Sequence, residues 1–307
     1  MSAFLPDIFS SSTPKWSKLN AAKKQSYFDI LDTMFGPGYH QEVVIEASGA
    51  IEINSKNLKI KDQSSTYLLK KWKSNTPIEV IENSIETVKY LSNKGVQVAK
   101  PLFFNNKEFI FIYENEKWTC SHFIEGNYYS GTKVQQANIP ITIAHLCDQF
   151  TTFPKKLYPS VQLEYDIDNY EQTLSKIENC KSEWDNVFGY SFSHLLKQSW
   201  GEIQSALEHL KSKSIDTGMV MPMHCDLHPH NFLFEEDKLK AIIDYDSVKL
   251  VPVGIALAFS TLKLCKQAMV YSEQQNPFEL GQNFKEKLIQ NLRTDCLGSD
   301  DFYTLAL

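Results

Sequence analysis

The chain has 307 residues, of which 42% are hydrophobic and 22% charged, the balance of an ordinary globular protein with room for two packed units around a sizeable core. Its formal net charge of -6, with no long basic run, argues against a nucleic-acid partner. No apolar run approaches the roughly 20 residues that span a bilayer, and the opening residues lack the basic start and apolar core of a secretory leader. The reading is therefore a cytoplasmic protein with no membrane partner.

A polar lead-in and a helical stretch near 19–34 come first. Strand signals follow at 43–47, 57–61 and 66–72, separated by turn-rich pieces such as 62–65. Lys70 and Lys71 close the third strand and, being adjacent, point to opposite faces. Pro77 suits a helix start, Ile81, Ile85, Val88 and Leu91 recur at helical spacing, and Gly95 suits its end. Val98 and Pro101-Leu102 lead to strands at 108–113 and 118–124. These pieces make a five-stranded antiparallel sheet with one helix, bounded near Gly126. From Thr132 the pattern turns helical, at 140–150, 167–182 and 192–213. Gly218 breaks it, a strand pair follows at 232–243, and helices resume from Gly254. The division is an N-terminal unit, 1–125, and a C-terminal unit, 126–307. Cys120, Cys147, Cys180, Cys225, Cys265 and Cys296 are scattered and form no C-x-x-C pair, so reduced cytosolic thiols are expected and a structural zinc site is not.

The chemistry concentrates in residues 223–246, MHCDLHPHNFLFEEDKLKAIIDYD. Two apolar runs flank the polar 235–238, a hairpin signal. A turn centred on Glu236-Asp237 places Asn231 opposite Ile242 and brings Asn231 and Asp244 to one open end. His224 and Asp226 lie on the loop entering that end. Carboxylate and amide oxygens suit Mg²⁺, and a further carboxylate can accept a hydrogen bond from an attacking hydroxyl.

H-x-D-x-x-x-x-N followed by an apolar strand and I-D-x-D resembles the aminoglycoside phosphotransferase and choline kinase superfamily. His224, Asp226, Leu227, His228, Pro229, Asn231, Leu233, Ile243, Asp244 and Asp246 carry the likeness. The resemblance implies an α+β, bilobal, protein-kinase-like fold and transfer of the γ-phosphate of ATP, with Mg²⁺, to a hydroxyl of a small molecule that is aminoglycoside-, choline- or sugar-like. Carried over residue by residue, Asp226 is the catalytic base, His224 braces its loop, and Asn231 and Asp244 hold magnesium. Tyr67-Leu68-Leu69-Lys70 resembles the strand whose lysine meets the phosphates. The stretch 123–126 resembles the hinge, where adenine bonds backbone near His122 and Ile124, and Gly49 sits where the nucleotide-covering loop belongs.

Several residues depart from that pattern. Cys225 and His230 replace two loop glycines, and Ser84 occupies the slot of the helix glutamate that pairs with the strand lysine, with Glu82 and Glu86 on other faces. The region 143–154 lacks the usual histidine motif, and 253–256 lacks the usual aspartate. His224 reads as a buried structural histidine and Cys225 as an inert thiol. Asp246 either pairs with loop backbone or assists the metal, and Tyr128-Tyr129 either frames a ligand or packs. Two other classes of function stand beside the kinase: a metal-dependent hydrolase built on His224, His228 and His230, and a catalytically weak relative that binds nucleotide.

Overall fold

A computed structural model describes residues 16–19, 24–25, 27–41, 43–48, 56–104, 108–154, 158, 167–188, 190–212, 218–271, 277–293 and 296–297. Gly49 lies outside these residues. Strands β1 (Trp16–Lys18), β2 (Val44–Ser48), β3 (Lys56–Lys61), β4 (Thr66–Lys71), β5 (Pro101–Leu102), β6 (Ile110–Tyr113) and β7 (Glu116–His122) form one sheet, ordered β1-β2-β3-β4-β7-β5, with β6 also on β7. Every pairing in it is antiparallel. Among the described residues the sheet thus has seven strands rather than the five expected. The two additions are three and two residues long, too short for alternation to be read from sequence.

One face of the sheet is covered by α1 (Phe28–Phe35), which overlaps the helical stretch expected near 19–34. Ile30, Leu31 and Met34 of α1 are buried against Ile45, Leu58, Ile60, Leu69, Trp118 and Cys120, and each such apolar side chain contributes roughly 1.5–3 kcal/mol by leaving water. The other face carries Trp72, which packs with Ile81 and Ile85 of α2 (Ile78–Asn93). At its far end, Leu91 of the same helix joins the larger core. Helix α2 therefore belongs to both cores. A parallel bridge from Val98 to Ile242 and the bond from the Ile242 N–H to the Gln97 carbonyl (2.8 Å) continue that link into the segment 223–246.

The remainder is mainly helical: α3 (Lys133–Thr151), α4 (Ile167–Asn179), α5 (Trp184–Phe188), α6 (Tyr190–Ser212), α7 (Val253–Tyr271) and α8 (Pro277–Asn291). Helix α3 begins before the expected 140. Thr132 caps it by accepting from the Gln135 N–H, and Pro140 lies inside the helix instead of opening it. The turn before α3 requires glycine. Gly131 has φ +81°, and a Cβ there would sit 2.5 Å from the Ala268 Cα of α7.

Small sheets position the site among these helices. Strand β9 (Val220–His224) pairs with β12 (Val248–Pro252), and β8 (Asn127–Tyr128) and β11 (Lys238–Ile242) flank β10 (Phe232–Glu235). The β10–β11 hairpin contains an irregularity between Leu233 and Phe234, so Phe232 rather than Asn231 faces Ile242. The extra residue, Lys240, moves the register by one, as bulges do. Asn231 consequently meets Ile243, whose N–H donates to its carbonyl at 3.0 Å.

Candidate active site

The strand β9 ends at His224, which is fully buried. Its Nε2–H donates to the Ile243 carbonyl (3.1 Å), and its Nδ1 accepts the Asp226 N–H (3.3 Å). Both ring nitrogens are spent on backbone, so the imidazole is neutral and immobile. Burial, the largest influence, pushes its pKa down to about 4. The side chain ties the entrance of the loop to the backbone just before Asp244.

The loop then folds on itself. The Asp226 carbonyl accepts the His228 N–H (3.0 Å) and the Asn231 Nδ2–H (2.7 Å), and the Asn231 N–H donates to the His228 carbonyl (2.9 Å). With its amide nitrogen committed to the loop, Asn231 keeps its carbonyl oxygen as the group able to take a cation. Leu227 and Phe232, buried in the main core, anchor the segment on either side. His228 Nε2 lies 3.6 Å from Asp226 Oδ2. The ring of His230, in place of a glycine, is accommodated against Tyr128, with centroids 4.2 Å apart. Burial lowers the His230 pKa to about 4. Cys225 donates to the Met223 carbonyl (3.3 Å), and burial raises its thiol to about 11, the profile of an inert thiol.

Asp244 adopts the left-handed conformation, φ 64° and ψ 61°, which aspartate tolerates better than most side chains but at a cost. Lys70 of β4 reaches across and donates to Asp244 Oδ1 at 2.9 Å, and it also pairs with Asp246. Its ammonium lies 4.7 Å from the ring centre of Trp72, two residues on and on the same strand face. Burial alone would lower the Lys70 pKa, but Asp244 and Asp246 override it and hold the ammonium above its ordinary value. Burial pushes both carboxylates up. Lys70 overrides this at Asp244, whose pKa is lowered, while Asp246 stays raised, to about 6. Lys71 faces the other way, pairing with Glu116 beside Trp118.

The partner of Lys70 is thus the Asp244–Asp246 pair and not a residue of α2. Ser84 is buried, whereas Glu82 and Glu86 are exposed and Glu86 bonds Lys89. Sequence spacing leaves the role of Asp246 open and gives Trp72 none. Its period-two offset from Lys70 is the signal that could have found it. At the expected hinge, the His122 N–H is already donated to the Lys100 carbonyl (3.0 Å) and that of Phe123 to Thr66 (2.9 Å). The expected adenine contact at His122 therefore cannot use its N–H, which the sheet has claimed. No backbone pairing among the described residues holds Ile124. Among the described residues, three or more His, Cys, Asp or Glu side chains are nowhere grouped so as to hold a metal ion.

An antiparallel sheet over a helical part, with a strand lysine reaching an acidic loop beside an H-x-D-x-x-x-x-N turn, defines a kinase-like phosphotransferase fold. The chain belongs to the phosphotransferase enzyme family, which it matches over residues 51–267. It is similar in fold to a spectinomycin phosphotransferase solved with ADP and spectinomycin, at TM-score 0.59 and 14% identity over 92% of this chain and 97% of that one. An amicoumacin kinase solved with AMP-PNP and Ca²⁺ gives 0.61 and 14% over 92% and 82%. A macrolide 2'-phosphotransferase from Brachybacterium faecium gives 0.56 and 10% over 93% and 87%. Comparison with the curated proteins by sequence finds no match. No described helix is long and apolar enough to cross a membrane.

Proposed function

We propose that this protein transfers the γ-phosphate of ATP, with Mg²⁺, to a hydroxyl of a small molecule of the aminoglycoside, choline or sugar kind. In this reading residues 1–125 form the nucleotide lobe and 126–307 the catalytic and substrate lobe, working in the cytoplasm, where the free cysteines stay reduced. The observation that carries it is the convergence of Lys70, Asp244 and Asp246 beside the Asp226–Asn231 loop. Two carboxylates facing one ammonium leave negative charge to be met, and Asn231 adds a neutral oxygen, a donor set that suits a hard cation. Asn231 and Asp244 would hold Mg²⁺, which when bound neutralises charge on the phosphates.

Lys70 exchanges its carboxylate partners for the α- and β-phosphates when nucleotide enters. Adenine lies against the 122–124 edge, with Ile124 supplying a backbone donor. Asp226 orients the acceptor hydroxyl and takes its proton as the new O–P bond forms and the bond from the γ-phosphorus to the bridging oxygen breaks. His224 holds the loop in place and moves no proton.

The metal assignment is tested by thermal unfolding. A ligand that binds the folded state raises its stability, so ATP with Mg²⁺ should raise the melting temperature of the parent and leave that of Asp244→Ala unchanged. Equal stabilisation of both proteins defeats the assignment. The buried Ser84 in the glutamate slot favours a second reading, a relative that binds nucleotide with little turnover. A parent that binds ATP yet phosphorylates nothing on a broad panel of alcohols would support it.

A further inference from the structure

Resting on the reading above, we propose that Trp72 is a positioning residue for Lys70, its indole face keeping the ammonium in place while the lysine passes from Asp244 and Asp246 to the phosphates. The two residues are two apart and share one strand face. The ammonium lies 4.7 Å from the ring centre, inside the range of about 6 Å over which the electron-rich face of an indole attracts a cation. Asp244 and Asp246 meet the same ammonium from the acidic loop. Lys70 is thus held by two kinds of contact. The carboxylates can be drawn away by a hard cation, which takes oxygen ligands, whereas the neutral ring offers that cation nothing.

The ring is fixed on three sides. The Trp72 backbone N–H donates to the Lys117 carbonyl (2.9 Å), extending the β4–β7 ladder by one residue. The indole N–H donates to the Thr119 hydroxyl, also at 2.9 Å, and Thr119 stands directly opposite Lys70 in that ladder. The side chain is buried with Ile81 and Ile85 of α2. The same helix packs on the turn 245–247, which carries Asp246, so one helix backs both the ring and the turn. It brings Lys70 no carboxylate, since Glu82 and Glu86 are exposed. A lysine has a long flexible stem, and a rigid neighbour limits where its charge can go. In the free protein the two carboxylates hold the ammonium even without the ring. Once Asp244 turns to the metal and the phosphates enter, the ring is the contact that stays, so its contribution falls on the nucleotide-bound state.

Fluorine draws electron density off the indole face and adds little bulk, so it weakens the cation contact without emptying the site. Tryptophan carrying one, two or three fluorines is placed at position 72 alone, and binding of ATP with Mg²⁺ is followed by isothermal titration. The dissociation constant should rise with each fluorine, to about fivefold for three, the scale of one partly desolvated cation–π contact. Trp72→Leu, which removes the face altogether, should weaken binding at least as much. In a Lys70→Met background, which keeps the apolar stem and removes the charge, the trifluorinated ring should cost nothing further, since its effect runs through the ammonium. Proton NMR gives a reading independent of affinity. The ring current of Trp72 should shift the Lys70 ε-methylene upfield, and the shift should persist when ATP and Mg²⁺ saturate the protein.

Unchanged affinity across the fluorinated series overturns the proposal. So does an undiminished loss in the Lys70→Met background, or an upfield shift that vanishes on saturation. If Lys70→Met by itself binds ATP with Mg²⁺ as tightly as the parent, the nucleotide assignment of Lys70 fails and takes this inference with it. If Lys70→Met binds weakly while the fluorinated proteins match the parent, only the Trp72 assignment fails.

Discussion

The seven-stranded sheet and the loop segment at 224–231, with Ile243, hold their polar groups in opposite ways. In the sheet, backbone groups are satisfied by a ladder that repeats from Val44↔Lys61 through Lys70↔Thr119, and loss of one side chain leaves its neighbours paired. In the segment, His224, Asp226, Asn231 and Ile243 are joined by single bonds, none duplicated. Redundancy makes the sheet a tolerant platform. Single bonding makes the segment precise and intolerant, which is what a group that must face a reacting atom needs.

The contrast breaks most sharply at Asp226. Asp226→Asn should lower turnover about a hundredfold or more, the range for loss of a positioned base, with ATP affinity kept within a few-fold. Steady-state ADP release and nucleotide titration check both halves. A substitution in the packing around the segment should be costly in stability instead. Gly131→Ala pairs a disfavoured φ with a Cβ against the α7 backbone, and it should lose about 2 kcal/mol in urea unfolding, mid-range for overpacking.

Within the sheet, the two adjacent lysines sharpen the comparison. Lys70→Ala should weaken binding of ATP with Mg²⁺ about tenfold, as loss of charge-assisted bonds does, whereas Lys71→Ala should change it by no more than about twofold. Isothermal titration of both variants decides this, and equal effects would deny that only one lysine serves the cleft.

The smallest effect expected is a pH slope. The folded pKa of His224 is about 4, below the ordinary value of about 6.5, so the unfolded chain binds more protons between those values. The stability His224 contributes is complete above about pH 6.5. It is lost as pH falls toward 4, at no more than about 1.4 kcal/mol per pH unit. Asp246, raised to about 6, acts in the opposite sense, so the His224 share is the difference between the parent and His224→Gln. In chemical unfolding at pH 7 and pH 5, the parent should gain stability on going to pH 7 relative to the variant, which keeps only the opposing Asp246 contribution.

The sequence alone determined what depends on neighbours along the chain. Strand alternation separates Lys70 from Lys71, helical periodicity puts Ser84 on a different face from Glu82 and Glu86, and the spacing from His224 to Asp246 marks the candidate site. Each follows from backbone geometry repeated over a few residues. Tertiary structure alone decided the rest. Lys70 finds Asp244 and Asp246 at separations of 174 and 176 residues, a choice made when α2 and the hairpin pack together. The extra residue in β11 shifts Asn231 from Ile242 to Ile243, because twist and packing set the register once a bulge is admitted. Strands β1 and β5 exist because β2 and β7 offer them edges, and α3 runs through Pro140 because capping at Thr132 and burial of its apolar face outweigh one missing hydrogen bond. Local preference is worth tenths of a kcal/mol to about one per residue, and burial of a single large side chain is worth more, so packing prevails wherever the two disagree.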